Sequence, residues 1–147
     1  MMLIREAMKE DLIGLLELYT QLHDNPMPVQ DEKLMSLWDN ILSNPDHYVI
    51  LGLEDTQIIS SCVITVIRNL TRGQRPYALI ENVITHEGYR NRGYATKLLE
   101  HAKELALHEN CYKIMLLTGT KEESTLNFYR KAGYNCEDKT GFIQWLP

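Results

Sequence analysis

Hydrophobic residues in the first half of the chain recur first at the spacing of a helix and then at that of a strand. Apolar residues three and four positions apart predict a helix over residues 9–23 and a second helix over 34–42. Runs rich in β-branched and aromatic residues predict strands over 48–53 and 58–67, joined by a polar hairpin. A short strand over residues 2–5 is expected to precede the first helix.

The second half of the chain alternates strands and helices after a polar loop at 69–76. The predicted elements are, in order, a strand over 77–85, a helix over about 96–109, a strand over 112–118, a helix over 123–131, and two strands over 134–136 and 142–145. The full order β-α-α-β-β-β-α-β-α-β-β predicts a mixed α/β fold. Because no linker or repeat interrupts this order, we expect one domain over residues 1–147.

Composition narrows the function classes. The formal net charge of −5, from 15 basic and 20 acidic residues, argues against a general nucleic-acid binder, which needs a basic surface. No apolar run approaches the roughly 18 residues that mark a membrane span, and the N-terminus lacks the long apolar stretch of a signal peptide. We therefore expect no nucleic-acid partner and no membrane association.

The chain has three cysteines, Cys62, Cys111 and Cys136, and no C-x-x-C motif. An odd number without paired spacing argues against both a disulfide framework and a zinc knuckle. The simplest interpretation is that these are reduced thiols in a cytoplasmic protein that needs no metal.

The most informative stretch is the turn between the strand 77–85 and the helix that follows it. This turn reads Arg90-Asn91-Arg92-Gly93-Tyr94-Ala95-Thr96. The first N–H groups of a helix lack partners within it and lie at its positive end, so with a glycine and two arginines they favour a phosphate. An ordinary surface turn is the alternative. A nucleotide P-loop is excluded, because Tyr94-Ala95 stands where Lys and Ser or Thr would be needed.

The turn and its neighbours match a known pattern. Arg90-x-x-Gly93-x-Ala95 follows the strand Leu79–Thr85, and the segment Asn127-Phe128-Tyr129-Arg130-Lys131-Ala132-Gly133-Tyr134 comes later in the chain. The first resembles the Q/R-x-x-G-x-G/A signature, and the second the F-Y-x-K-x-G-F/Y segment, of the GNAT superfamily of acetyl-CoA-dependent N-acetyltransferases. The likeness covers roughly Tyr48 to the C-terminus and is greatest to glucosamine-6-phosphate N-acetyltransferases and unassigned bacterial relatives.

The resemblance implies a fold and a cofactor. The fold would be a mostly antiparallel twisted sheet of about seven strands flanked by four helices. The cofactor would be acetyl-CoA, with its pyrophosphate on the turn Arg90–Thr96. Its pantetheine arm would pair with the backbone edge of Val83, Ile84 and Thr85, which is strand addition by a ligand.

Glu81 is the candidate general base. It interrupts an apolar run, where an unpaired carboxylate is costly, and relatives carry Glu at the equivalent place. An amine must lose a proton before it attacks a thioester, and a carboxylate can take that proton directly or through water. Simple alternation places Glu81 on one face with Leu79, Val83 and Thr85, unless a bulge intervenes. The alternatives are a structural, ion-paired Glu81, or His86 as the base.

Tyr129 is the candidate general acid. In the family, the Tyr of this segment donates a proton to the coenzyme A thiolate as it leaves. The alternative is an amphipathic core tyrosine with a surface hydroxyl. The chain departs from the family at Glu122 and Thr125, where relatives carry cofactor-contacting Asn, while Asn127 is out of register.

The sequence restricts the acceptor only to a primary amine of a small molecule or peptide. Glucosamine 6-phosphate is one alternative, and a non-catalytic acyl-CoA-binding module is another. Arginines around the 69–76 loop are candidates for an acceptor phosphate or carboxylate, although the sequence favours an ordinary solvated loop; they are Arg68, Arg72 and Arg75. Acidic residues near the first two helices could instead attract a cationic amine, although an ordinary solvated surface is again favoured; they are Asp24, Asp31 and Glu32. The apolar stretch Phe142–Leu146 could form the edge of a homodimer.

Overall fold

The computed structural model describes residues 1–147, which contain four helices and five strands. The elements are β1 (Leu3–Glu6), α1 (Leu12–Tyr19), α2 (Glu32–Ser43), β2 (His47–Glu54), β3 (Gln57–Ile67), β4 (Tyr77–Thr85), α3 (Tyr94–His108), β5 (Ile114–Leu116) and α4 (Glu123–Lys131). The strands form one sheet in the order β1-β2-β3-β4-β5, and the first four pair antiparallel. None of the helices combines the length and apolar character needed to cross a membrane.

The chain forms two compact units, Met1–Met115 and Leu116–Pro147. In the first unit, each face of the sheet is covered by helices. On one face, α1 and α2 pack their Leu15 and Trp38 side chains against Val63 and neighbouring strand residues. On the other face, α3 contacts β2, β3 and β4 and buries Leu98 completely. Strand β4 therefore contacts α1 on one face and α3 on the other.

The start of α2 and the end of α3 have clear causes in the sequence. Asp31 begins α2 by accepting a hydrogen bond from the Leu34 N–H at 2.9 Å. Asn110 follows the end of α3 in the left-handed conformation, with φ of 62°. The Cys111 N–H donates to the Ala106 carbonyl at 2.9 Å and so satisfies a carbonyl of the last turn, as expected of a helix C-terminus.

A bulge interrupts β4. Glu81 lies opposite Val63 and Ile84 lies opposite Ser61, so three steps along β4 match two steps along β3. The extra residue is Asn82, whose φ of 52° is left-handed. Because paired residues point to the same face of a sheet, Ile84 shares the face of Glu81, and Thr85 points to the opposite face. Simple alternation, which would keep Thr85 with Glu81, is therefore wrong for this strand.

The second unit has α4 as its only regular element. Residues 134–136 and 142–145 form no strand, so the sheet has five strands rather than about seven. High β-propensity reflects how well a side chain fits a pleated, partly buried surface, and a strand also requires a hydrogen-bonding neighbour. The segment Phe142–Leu146 has no such neighbour and exposes its large side chains, with Phe142 at 92% and Trp145 at 85%.

All three cysteines are free thiols, and they differ in exposure. Cys62 on β3 is fully buried and Cys111 is nearly so, whereas Cys136 in the second unit is exposed. Burial raises the pKa of the Cys62 thiol to about 12, so this thiol stays protonated at neutral pH.

Candidate functional site

The start of α3 presents backbone donors without partners. Gly93 precedes the helix with a left-handed φ of 81°, and no side chain caps the helix. The first intrahelical bond runs from the Lys97 N–H to the Gly93 carbonyl at 3.1 Å. The N–H groups of Tyr94, Ala95 and Thr96 therefore have no acceptor within the helix. They lie at its positive end, which is the arrangement that binds phosphate.

Arginine side chains surround this helix start. Arg90 and Arg92 are both exposed. The Arg90 Nε donates to the Thr85 carbonyl at 3.1 Å, which anchors the turn to the end of β4 and leaves the terminal guanidinium nitrogens open to a ligand. The Arg92 guanidinium lies 5.4 Å from the centre of the Tyr89 ring. Both cations therefore add to the positive potential at the free N–H groups.

The Tyr94 side chain is committed to the protein itself. Its hydroxyl donates to Glu54 Oε1 in β2 at 2.8 Å. This hydrogen bond raises the pKa of Tyr94 and lowers the pKa of Glu54. Of the predicted contacts of Tyr94 with a cofactor, only the backbone N–H is available.

The end of β4 next to the turn has a fixed conformation. The Ser60 hydroxyl donates to the Ile84 carbonyl at 2.9 Å and lies 2.9 Å from the Thr85 hydroxyl. Ile84 itself is buried, so only its backbone could face a ligand. Strand β5 lies on the other side of β4 and has only three residues, whereas β4 has nine. It begins near Ala78, whose N–H donates to the Lys113 carbonyl at 3.0 Å. Strand β5 is thus too short to cover the edge of residues 83–85.

Glu81 is exposed, contrary to the expectation of a buried carboxylate. The Glu81 side chain points to the face that carries α1 and α2, and the bulge at Asn82 comes directly after it. Its carboxylate forms no ion pair with Arg or Lys. His86, the rival base, accepts a hydrogen bond at Nδ1 from the Gly88 N–H at 3.0 Å, which suits a loop residue.

Tyr129 lies on α4 in the second unit and is half-buried. Its ring contacts Phe128 with centroids 5.1 Å apart and Tyr134 at 6.4 Å, both edge to face. On the same helix, Arg130 donates to Glu123 at 2.8 Å and to Asn127 at 2.9 Å. Asn127, the residue out of register with the family pattern, is thereby held by its own helix.

The three arginines predicted for an acceptor anion have different roles. Arg68 pairs with Asp46, and Arg75 donates to the carbonyls of Asn110 and Cys111. These two side chains support the fold. Only Arg72 is left uncommitted. Among the acidic candidates, Asp31 serves as the cap of α2.

A polar cavity of about 410 Å³ opens between α1 and the hairpin that joins β2 to β3. Its lining includes the carboxylates of Glu10 and Glu17 on the side of α1, together with Gln21, Gln57 and His86. It contains none of the residues predicted to bind the cofactor. The side chains of the protein include no group of three or more His, Cys, Asp or Glu placed to hold a metal ion.

Sequence comparison identifies one family. The profile of the Acetyltransferase (GNAT) family matches residues 10–134. A glucosamine 6-phosphate N-acetyltransferase from Trypanosoma brucei brucei is 29% identical over 83 residues, which are 56% of this chain. The chain spans about half of that relative, 54% of its length.

Solved structures share the fold over their full length. A protein from Agrobacterium tumefaciens str. C58, whose description as an acetyltransferase is provisional, is 37% identical with a TM-score of 0.92. The match covers 98% of this chain and 99% of that one. Glucosamine-6-phosphate N-acetyltransferase from Arabidopsis thaliana has a TM-score of 0.88 at 22% identity, covering 100% and 99% of the two chains, and so shares the fold.

Proposed function

Because the chain belongs to the GNAT family of acetyltransferases, we propose that it transfers an acetyl group from acetyl-CoA to a primary amine of a small molecule or peptide. Transfer is direct, with both substrates bound together. The observation that carries the proposal is the start of α3, where three free N–H groups and two arginines adjoin the uncovered edge of β4. Residues 1–147 act as one N-acetyltransferase domain, in keeping with a family match that crosses the boundary at Met115.

The residues of the turn fit an anionic cofactor. Gly93 supplies the left-handed φ, and a Cβ built at this position meets nothing within 4 Å, so the space beside it is open. The N–H groups of residues 94–96 would hold a pyrophosphate, with the side chains of Arg90, Asn91 and Arg92 around it. The backbone of Val83, Ile84 and Thr85 would pair with the amide groups of pantetheine.

Two residues would move protons. When bound, acetyl-CoA supplies the acetyl group as a thioester, so the reaction joins the amine nitrogen to the acetyl carbon and breaks the C–S bond. Glu81 takes the proton that the ammonium group must lose, and its exposure allows this directly or through a water molecule. Tyr129 donates the hydroxyl proton to the departing sulfur.

One acceptor has specific support. The relative from Trypanosoma brucei brucei acetylates, by its name, glucosamine 6-phosphate, and this sugar is the second candidate substrate here. A non-catalytic acyl-CoA-binding module is the alternative from another class. It would bind acetyl-CoA in the same way and transfer nothing.

A homodimer in the cytoplasm completes the proposal. The segment Phe142–Leu146 exposes four large apolar side chains and carries no charge, which in a lone molecule would favour aggregation. Its two aromatic residues offer roughly 300–500 Å² in each copy, so two copies contribute roughly 600–1,000 Å² before the surface that they cover on the partner is counted. A stable interface buries roughly 1,200–2,000 Å² in total. Three free cysteines suit a reducing compartment.

The first test is binding of acetyl-CoA, followed by differential scanning calorimetry. A ligand at a hundred times its dissociation constant adds about 2.7 kcal/mol to the free energy of unfolding, which raises the melting temperature by several degrees. Acetate and free adenosine at the same concentration serve as controls. No shift with millimolar acetyl-CoA would contradict the proposed function in both its catalytic and non-catalytic forms.

The second test separates enzyme from binding module. A panel of amino sugars, polyamines, amino acids and peptides is screened for release of coenzyme A thiol. With the best acceptor, Glu81→Gln should lower kcat by about 10²-fold or more, and Tyr129→Phe should lower kcat with coenzyme A binding retained. Glu104→Gln, an exposed carboxylate on α3, is the matched control. Unchanged kcat in both variants would remove these two residues from the reaction.

A further inference from the structure

One face of β4 carries a strip that no helix covers completely. Tyr77, Leu79 and Glu81 alternate onto the face of α1 and α2, because the bulge comes only after them. Tyr77 and Leu79 are half-buried and Glu81 is exposed. The four residue steps from Glu81 to Tyr77 span about 13 Å along the strand. A small molecule lying on this strip could reach both ends.

A cluster of two tyrosines and two cations lies at the Tyr77 end of the strip. The Tyr77 and Tyr112 rings meet edge to face with centroids 6.1 Å apart. The Lys113 ammonium lies 5.0 Å from the Tyr77 centroid and 5.3 Å from that of Tyr112, and the Arg72 guanidinium lies 5.6 Å from the Tyr112 centroid. All four residues belong to the first compact unit.

The two cations of this cluster have no counterion. Neither Arg72 nor Lys113 forms an ion pair with a carboxylate; among the lysines and arginines, only Arg5, Lys9, Arg68 and Arg130 do. Both cations lie near the Tyr112 ring, so an anion bound beside this ring would be attracted by both charges. The ring faces hold both cations in place but do not neutralise them.

The backbone of the β3–β4 loop fixes the position of Arg72. Three successive residues have left-handed φ values: Arg72 at 55°, Gly73 at 67° and Gln74 at 60°. Left-handed conformations are uncommon for residues other than glycine, and Arg72 and Gln74 adopt them on either side of Gly73. Arg75, next in the chain, is anchored to two carbonyls. Arg72 is therefore presented on a rigid turn.

We propose that Arg72 and Lys113 form an anion subsite for the acceptor, an inference that rests on the proposed function. This subsite selects acceptors that carry a phosphate or carboxylate at the end away from the amine. The amine lies near Glu81 and the anion near Lys113, with the body of the acceptor along Leu79. Tyr77 and Tyr112 form the floor of the subsite. Sequence reasoning found Arg72 but missed Lys113, because the strand β5 that places it beside Tyr77 is not adjacent in sequence.

The test compares paired acceptors that differ only in the anion. The kcat/KM for glucosamine 6-phosphate is compared with that for glucosamine, and the kcat/KM for 6-aminohexanoate with that for its amide. The first pair tests for a preference for phosphate and the second for a preference for carboxylate. Wild type should show a higher kcat/KM for the anionic member of at least one pair. Arg72→Gln and Lys113→Gln should each lower that kcat/KM about five- to tenfold and leave the neutral member unchanged. Lys103→Gln, an exposed lysine on α3, should change neither value.

A binding measurement keeps the subsite separate from catalysis. In the presence of coenzyme A, calorimetric titration should detect the anionic member of the pair binding more tightly than the neutral one, and the preference should disappear in the Arg72→Gln, Lys113→Gln double variant. If no amine is acetylated but the anionic member still binds more tightly, the subsite is supported and the proposed enzymatic function is contradicted. If wild type shows no preference in either measurement, or the variants affect both members equally, the subsite is overturned.

Discussion

Asp11 is the most strongly held carboxylate of the protein. It accepts two hydrogen bonds from Arg5, at 2.7 and 3.0 Å, and one from the Met8 N–H at 2.6 Å. The Arg5 hydrogen bond, with the Met8 N–H and the charge of Arg5, holds the pKa of Asp11 below its ordinary value of 3.8 against the opposing effect of burial. The first strand is thereby fastened to the start of the first helix.

We expect Asp11→Asn to lower the free energy of unfolding by about 2 kcal/mol at pH 7, because the Arg5 guanidinium loses its partner. Since the native pKa is depressed, the ionised carboxylate stabilises the fold fully above its unfolded pKa, and this stabilisation is lost as the pH falls through the native pKa. Urea unfolding at pH 7 and at successively lower pH should therefore show that the free energies of unfolding of wild type and Asp11→Asn converge. A constant difference across this range would contradict the ion-pair explanation.

Asp39→Asn is the matched control for this measurement. Asp39 pairs with Lys9 at 3.6 Å, but both side chains are more than half exposed. Exposed pairs contribute little to stability, so this variant should unfold within about 0.5 kcal/mol of wild type at any pH.

Single residues also show where pattern reasoning reaches its limit. Glu81 and Tyr129 were selected because residue type and motif point to proton transfer, and their roles stay predictions. The exposure of Glu81 was not predicted, because the pattern along one strand does not show how far the helices cover it. The bulge was not predicted either, and its one available signal was Asn82, since asparagine tolerates left-handed φ better than most residues. Similarly, the Tyr94 hydroxyl pairs with Glu54, forty residues away in sequence.

In the proposed function, binding of acetyl-CoA depends on the start of α3. We expect Gly93→Ala to weaken acetyl-CoA binding and to lower the free energy of unfolding by about 1 kcal/mol or more, because alanine is strained at the φ of 81°. A Cβ at this position meets nothing within 4 Å, so the effect comes from the backbone and not from a clash. Isothermal titration with acetyl-CoA and thermal unfolding measure the two effects.

Gly119→Ala provides the comparison. This glycine is also exposed and a Cβ there also meets nothing within 4 Å, but its φ is not left-handed. The substitution should leave both acetyl-CoA affinity and stability nearly unchanged. Equal losses of acetyl-CoA affinity and stability in Gly93→Ala and Gly119→Ala would indicate that binding depends on the backbone freedom of glycine in general, and not on the left-handed conformation of the turn.

Elements were predicted best where one strong periodicity defines them. The GNAT family and fold predicted from the turn are confirmed, and all four helices occur near their expected places. The predicted strand 77–85 matches β4 at both ends. The strands at 134–136 and 142–145 were predicted wrongly, because apolar β-formers indicate a preference, whereas pairing depends on a neighbour that local sequence does not reveal. Strand β5 is shorter than predicted for the same reason.

At the scale of the whole molecule, the proposed homodimer depends on the exposed segment Phe142–Leu146. We expect wild type to sediment as a dimer at micromolar concentration, and the Phe142→Ser, Trp145→Ser double variant to sediment as a monomer, because the two largest exposed rings are lost. Analytical ultracentrifugation over a range of concentrations checks this. Leu107→Ser, at 64% exposure on α3, should remain dimeric. A wild-type monomer at all concentrations would refute the homodimer.

The distribution of the three thiols has a practical consequence. In the native protein only Cys136 is open to a maleimide, because Cys62 and Cys111 lie inside the first unit. A fluorophore should therefore couple once per chain under native conditions and three times in denaturant. The wild-type sequence thus already carries a unique labelling position, close in sequence to α4, for following ligand binding by fluorescence without any substitution.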